Sequence, residues 1–528
     1  MLRHLRTASL CLVSVLVVGC LVSPPTATGW AAAPRALTYG IEGDPDTLDI
    51  AVSSATVAWS VAANITSVLV RQRLGSASEI EPDLATSWSV SPDGKVWTFR
   101  LRRGVTFQDG TAWDARAAKV NFDRWSDAAN PYHQKNGDFT LWERFFGPTF
   151  KEARVVDPYT LQIVLTSPYG PFLIAMTQRA FQFLSPAALE KYGGAGIGRH
   201  PVGTGPYRFV EWNAADHVLL EANPSYFRPG LPKTPRVYYR VIKDNAARYL
   251  AIKAGELDIM EVPNPEDLQS ARSDQNLRLA LRPPLDDGFL VFNLHMPLLQ
   301  DRRIRAAVAA AINRPAIVRA LYGGLGQVAD QFLPPTAWGR STSVKGYAYD
   351  PQAALKLLTE AQYPNGFSLD FWYMPVNRPY YPDAKAIATA IANDLGKVGI
   401  RLNLRTEDWA AYISDVHSGL KFPISMWGIL ADYGDPDGFW QLFSQYKPNS
   451  VLWSYNNPTT FALIKQARSI NDQSARARLY AQVEELTQPD IPRIPIAYGS
   501  GAVIVRRNVQ GYVANPNSED DLSPVWLR

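Results

Sequence analysis

Ser368-Leu369-Asp370-Phe371-Trp372-Tyr373, then Asp383 through Lys397, then Ile400-Arg401-Leu402-Asn403-Leu404, is the stretch that decides the fold class. In the first piece Leu369, Phe371 and Tyr373 alternate, the period of a strand with one buried face. Between Asp383 and Lys397, Ile387, Ile391 and Leu395 recur at helical spacing and so share one face. Gly399 stops that helix, and Ile400, Leu402 and Leu404 alternate again. Parallel strands need a crossover of this kind, so strand, helix and strand predict an α/β domain with a mainly parallel sheet.

Outward from this unit, helices alternate with short apolar strands over roughly residues 284–499. Arg303 to Tyr322 reads as helical, with Ile304, Val308 and Ile312 on one face, a break near Asn313 to Pro315, and Gly323-Gly324 as the stop. Asp350-Pro351 starts the next helix. Before residue 284 the pattern differs. Thr86 to Val90 and Val96 to Leu101 flank Ser91-Pro92-Asp93-Gly94, a hairpin signal, and Asp114 caps an Ala-rich helix running to about Arg124. Phe150 to Val156 and Thr160 to Thr166 flank a turn at Asp157-Pro158-Tyr159, and Gly203-Thr204-Gly205-Pro206-Tyr207 precedes another strand. Helix and strand do not alternate regularly here, so this half reads as α+β.

The 528 residues allow two to four domains. Hydrophobic residues at 46% and charged residues at 19% are ordinary globular usage. Lys plus Arg total 53 against 49 Asp plus Glu, with no dense basic stripe, which argues against a nucleic-acid partner. The 15 Trp and 24 Tyr fill cores or line a recognition surface. Met1 to Arg6 carries two arginines, and the apolar run Ala8 to Val22 is too short to span a bilayer but suits a secretory signal. Cys11 and Cys20 both lie in it, so the mature chain keeps at most one cysteine and forms no disulfide or structural Cys-zinc site of its own. Val17-Val18-Gly19-Cys20 resembles a bacterial lipobox, which would anchor Cys20 through lipid; cleavage near Gly29 or Ala33 is the alternative.

The sequence contains no G-x-x-x-x-G-K-[ST], G-x-S-x-G or H-E-x-x-H motif. Gly324-Leu325-Gly326-Gln327-Val328-Ala329 fits a dinucleotide fingerprint on paper, yet it follows a helix where such a site needs a strand, and it reads as a helix stop and loop. His133, His200, His217, His295 and His417 show no metal-ligand spacing, so neither metal nor cofactor is expected. Two charges are better placed. Arg378 follows the strand ending near Tyr373, and Asp432 follows the apolar run Phe422 to Leu430, so both lie beyond the carboxyl ends of expected parallel strands, where open α/β sheets bind ligands. Trp372, Tyr373, Tyr380 and Tyr381 flank the arginine; Trp427, Tyr433 and Phe439 flank the aspartate. The plainer reading is a pair of loop charges that neutralise each other.

With these residues in view, the chain resembles the extracytoplasmic solute-binding proteins of ABC peptide importers, family 5. The likeness rests on Glu81-Pro82-Asp83-Leu84-Ala85, Arg100-Leu101-Arg102-Arg103-Gly104-Val105, Pro201-Val202-Gly203-Thr204-Gly205-Pro206-Tyr207, Phe292-Asn293 ahead of Asp301-Arg302-Arg303-Ile304-Arg305, and Leu333-Pro334-Pro335-Thr336. Met374-Pro375-Val376-Asn377-Arg378-Pro379-Tyr380 and Asp432-Tyr433-Gly434-Asp435-Pro436-Asp437 are similar to its dipeptide-binding branch. The resemblance implies a two-lobed periplasmic-binding-protein fold, type II-like with an extra covering subdomain and a hinge crossed twice. Residues 34–283 with 500–528 would form lobe I and 284–499 lobe II, after a leader and linker over 1–33. It further implies that Asp432 meets the cargo's α-ammonium and Arg378 its α-carboxylate, that Trp409 belongs to the pocket, and that Tyr380, Tyr433 and Trp427 join them. The implied partners are a dipeptide and the permease and ATPase subunits of an importer; the protein would be a monomer in the periplasm or at the outer face of the cytoplasmic membrane. The chain departs from the family in lacking the branch's disulfide cysteines and in the order of residues around Trp427-Gly428.

A dipeptide zwitterion holds its charges about 5 to 6 Å apart, since neighbouring Cα atoms are about 3.8 Å apart. A fixed carboxylate and guanidinium can therefore measure length, because each added residue moves the far carboxylate by up to about 3.5 Å. Nickel chelates, haem, opines or longer peptides are other cargoes within the family. A secreted peptide hydrolase, with Asp432 and Asp435 sharing a proton, is the reading from another class.

Overall fold

The computed structural model describes residues 35–53, 55–133 and 139–528, and the expectations for Cys11, Cys20, Gly29 and Ala33 lie outside them. Ser368–Trp372 and Arg401–Arg405 pair in parallel, Ser368 opposite Arg401 and Trp372 opposite Arg405. The crossover between them is the helix Ala384–Gly396, which buries Ile387, Ile391 and Leu395. Its first turn is fixed by Asp383, whose side chain accepts a hydrogen bond from the Ala386 N–H at 2.9 Å. A second crossover helix, Trp409–Ser418, delivers Ile424–Leu430 parallel to Ser368–Trp372 on its other side.

The rest of that six-stranded sheet corrects the expectation of a mainly parallel one. Asp286–Phe292 runs antiparallel to both Ile424–Leu430 and Arg493–Gly499, and the edge strand Gly326–Val328 is antiparallel to Arg493–Gly499. The reason lies in the connections. Asp286–Phe292 arrives from a second sheet and Arg493–Gly499 returns to it, so these neighbours must point in opposite directions. Gly326–Val328 also replaces the expected loop, after a helix stop at Gly323 and Gly324, both at positive φ. The expected helical break is present, with Arg302–Ala311 and Arg314–Leu321 divided at Asn313, whose side chain caps the second helix.

The second sheet has seven strands, drawn from between residues 37 and 281 plus Ala502–Arg506, which lies between Leu277–Leu281 and Ile259–Glu261. The chain thus crosses between the sheets twice, at 281–286 and 499–502, and the fold is two-lobed. The Asp286 carboxylate accepts from the Gly499 N–H at 2.6 Å, tying the crossing strands together.

Between Leu37–Ile41 and Tyr207–Asn213 the first lobe carries a four-stranded antiparallel module, with strands Ala85–Val90, Val96–Leu101, Thr160–Leu165 and Phe150–Asp157 in spatial order. Both expected hairpins are in it. Helix Ala115–Ser126 starts at Asp114, whose side chain accepts from the Arg116 and Ala117 N–H groups at 2.9 Å. Its core holds Trp97, Phe99, Trp113, Phe122, Trp125, Trp142, Phe145, Phe146, Phe172 and Phe181, so much of the chain's aromatic content is packing here. Ala36–Arg528 form one compact unit.

Candidate functional site

Ser368–Trp372, Ile424–Leu430 and Arg493–Gly499 all end at the same edge of the six-stranded sheet, because the first two are parallel and the third shares their direction through Asp286–Phe292. The crossings to the first lobe leave from this edge. Arg378 and Asp432 sit on the loops that follow the first two strands.

The Arg378 loop is a tight turn. The Arg378 N–H donates to the Tyr381 carbonyl at 3.0 Å and the Tyr381 N–H returns a bond to the Arg378 carbonyl at 2.8 Å, with Pro379 fixing φ at the turn's second position. Three glycines on neighbouring strands make its floor. A Cβ on Gly499 would lie 2.2 Å from the Pro379 backbone, one on Gly288 2.8 Å from the Tyr380 carbonyl oxygen, and one on Gly428 2.2 Å from the Tyr380 ring. Tyr380 is therefore buried, with its main-chain oxygen accepting from the Tyr322 hydroxyl at 2.8 Å. Burial raises its phenol pKa, and Arg378 is the main opposing charge.

The Arg378 side chain is exposed. Among the described residues no carboxylate pairs with it; its guanidinium lies 5.4 Å from the Trp409 ring centre. Trp409 opens helix Trp409–Ser418, where Asp408 caps by accepting from the Ala410 N–H at 2.9 Å. Its ring stacks at 6.1 Å on Trp427, which projects from the sheet face opposite Tyr380, and Tyr412 continues the stack at 6.0 Å from Trp409. His417 meets the edge of Trp427 at 5.2 Å, and burial, with a smaller push from Lys447, holds its pKa below the usual value.

Asp432 is elsewhere in contact. It does not pair with Arg378; its Oδ2 accepts from Arg144, on helix Thr140–Phe145 of the four-stranded module. Gln178 Nε2 donates to its main-chain oxygen at 3.1 Å. Burial raises the Asp432 pKa and the Arg144 guanidinium opposes the rise. The next residue, Tyr433, is fully buried, its ring 5.6 Å from Phe145 in the module's core, so it packs rather than facing solvent. The Gly434 N–H donates to the Ala77 carbonyl at 2.8 Å, another contact between the lobes.

Asp435 and Asp437 hold the loop. Asp435 takes both guanidinium nitrogens of buried Arg476 at 2.6 and 2.7 Å, and Asp437 accepts from Tyr480 at 3.1 Å and pairs with Arg468 at 3.0 Å. That corrects the hydrolase reading: Asp435 is committed to Arg476 and unavailable to share a proton with Asp432. The structure thus gathers Arg378, Trp409, Trp427 and the turn at Tyr380 into one cluster and places Asp432 and Tyr433 in another. Arg144 and Gln178 escaped the sequence reading, since they lie 288 and 254 positions from Asp432 with no local motif to mark them.

Residues 79–450 match the family described as bacterial extracellular solute-binding proteins, family 5, middle. The chain is 33% identical to the dipeptide-binding protein of Escherichia coli (strain K12) over 500 residues, 91% of this chain and 92% of that one. It is 32% identical to heme-binding protein A of Haemophilus influenzae over 466 residues, 86% of this chain and 85% of the other. Among solved structures, HbpA2 from Haemophilus parasuis superposes with a TM-score of 0.87 at 30% identity, covering 94% of this chain and all of that one. A two-sheet fold crossed twice, a charged edge between the lobes and matches of this extent make the chain a member of the family-5 bacterial extracellular solute-binding proteins.

Proposed function

We propose that this protein captures dipeptides outside the cytoplasmic membrane and delivers them to the permease of an ABC importer. Asp432 receives the cargo's α-ammonium and Arg378 its α-carboxylate, with Trp409 and Trp427 forming part of the wall. Lobe I comprises residues 34–283 and 500–528, lobe II 284–499, and the exported chain acts as a monomer, released after cleavage near Gly29 or Ala33 or held by lipid on Cys20. The observation that carries this reading is the shared sheet edge: a guanidinium that pairs with no carboxylate among the described residues and a carboxylate follow parallel neighbouring strands where the hinge strands leave for the other lobe. The likeness to the Escherichia coli dipeptide-binding protein supports the cargo class.

A planar guanidinium holds a carboxylate through two parallel bonds. In a tripeptide the second charge lies up to about 3.5 Å farther away, leaving one anchor desolvated and unpaired. Calorimetry with dipeptides, tripeptides and free amino acids tests this: dipeptides of varied sequence bind, and the others bind at least about tenfold more weakly. Equal affinity for di- and tripeptides would overturn it. Haem is a second reading, favoured by the Haemophilus influenzae relative's name; native mass spectrometry of the purified protein distinguishes a retained haem from a retained dipeptide by mass.

A further inference from the structure

The Asp432 carboxylate, on the six-stranded sheet, is held from the other lobe. Asp432 follows a strand of the six-stranded sheet, whereas Arg144 lies on helix Thr140–Phe145, whose Trp142 and Phe145 are packed into the core of the four-stranded module. Arg144 takes Oδ2, and apart from the residue's own backbone N–H no other hydrogen bond from the described residues reaches the carboxyl group. The pair's side chains are 45% and 24% exposed, open enough for a small ligand to approach yet shielded enough for charge to count. Around the carboxylate, Tyr433 is locked into the module's core and Gln178 holds the main-chain oxygen, so the Asp432 backbone is fixed from the same side as its side chain.

We propose that Arg144 is a positioning residue for cargo recognition: by holding Oδ2 of Asp432 from the opposite lobe it aims Oδ1 at the ligand's ammonium, so the anchor is complete only when the lobes meet. This rests on the reading of Asp432 as the ammonium anchor. The local charges fit the role. Burial works against an ionised Asp432, Arg144 counters it, Asp435 and Asp437 are paired with Arg476 and Arg468, and Glu519, whose charge also acts on Asp432, is engaged by Arg179 at 3.0 Å. An unassisted carboxylate here would take up a proton more easily and lose its attraction for an ammonium. Closure and recognition are then coupled: the open protein presents a weaker, less directed anchor than the closed one. The opposite arrangement, in which Arg144 occupies the ammonium's place and must be displaced, has the opposite consequence, since truncating Arg144 would then tighten binding.

The test is calorimetry with Ala-Ala between about pH 4 and 8 on wild type, Arg144→Ala, Arg144→Lys and Asp432→Asn, each checked for an unchanged melting temperature. Arg144→Ala is expected to weaken binding by about tenfold at neutral pH and to move the acidic midpoint of binding up by about one pH unit, with Arg144→Lys restoring part of both. Affinity in Arg144→Ala that is equal to or tighter than wild type, with the midpoint unmoved, would overturn the proposal while leaving Asp432 as anchor. If Asp432→Asn binds Ala-Ala as wild type does, or wild type binds no dipeptide, the anchor reading itself fails and the role of Arg144 falls with it.

Discussion

On the proposed reading, Arg378 is the residue through which cargo length is measured most simply. It has a flat aromatic face beneath it, no carboxylate partner among the described residues and a backbone locked in a turn. Replacing it with lysine keeps the charge and loses the fork, so Arg378→Lys is expected to weaken dipeptide binding by about tenfold, and Trp409→Ala, which removes the surface under the guanidinium, by a few-fold. Isothermal titration checks both; an Arg378→Lys protein with wild-type affinity would contradict the two-bond contact. The placement of Arg378 and Asp432 at the sheet edge could be read from sequence because each lies on the loop after an apolar strand whose end is marked by polar and turn residues. The environment of Asp432 could not, since its partner comes from a helix 288 positions away and the contact exists only through tertiary packing.

At the scale of elements, the turn carrying Arg378 rests where Gly288, Gly428 and Gly499 leave no side chain. None of the three has a positive φ, so their role is space and not backbone freedom. A methyl at 499 meets the Pro379 backbone and one at 428 the Tyr380 ring, so Gly499→Ala and Gly428→Ala are each expected to cost about 1–3 kcal/mol of stability and to displace the turn. Dipeptide affinity should fall with them, while substitution of the exposed Gly396, whose Cβ meets nothing within 4 Å and whose φ is not positive, should leave binding alone. Melting curves and titrations on the variants measure the two effects separately, and wild-type affinity in Gly499→Ala would show that the turn does not set the site. The crossover Ser368–Arg405 was legible because local signals agree along it: alternation, a capping Asp383 and Gly399 at φ +86°. The antiparallel Asp286–Phe292 was not. A strand buried on both faces looks alike in either direction, and its direction is set by a crossing between lobes that no local pattern reports.

Over the whole molecule, stability depends on pH through buried carboxyl groups such as Glu484. Glu484 is buried and accepts from the Leu333 N–H at 2.9 Å; burial lifts its pKa from the usual 4.5 to about 7. The folded protein therefore keeps a proton that the unfolded chain releases, and this contribution is full below about pH 4.5 and lost as pH rises through 7. Glu484→Gln keeps the acceptor and removes the titration, so its melting temperature should exceed wild type at pH 8 and match it near pH 5. Identical curves at both pH values would contradict a titrating Glu484.

The lobes and module gave way to sequence reading in proportion to how local their contacts are. The hairpins Ala85–Leu101 and Phe150–Leu165 close within a few residues, whereas the contacts of Tyr433 with Phe145 and of Gly434 with Ala77 join distant parts of the chain. Those distant contacts are what make a two-part anchor possible. A crystal structure of the closed protein with Ala-Ala bound tests that anchor most directly. The ligand's ammonium is expected within about 3.2 Å of Asp432 Oδ1 and its carboxylate bidentate on Arg378; a dipeptide lying in the cleft with either terminus away from these two side chains would contradict the anchor.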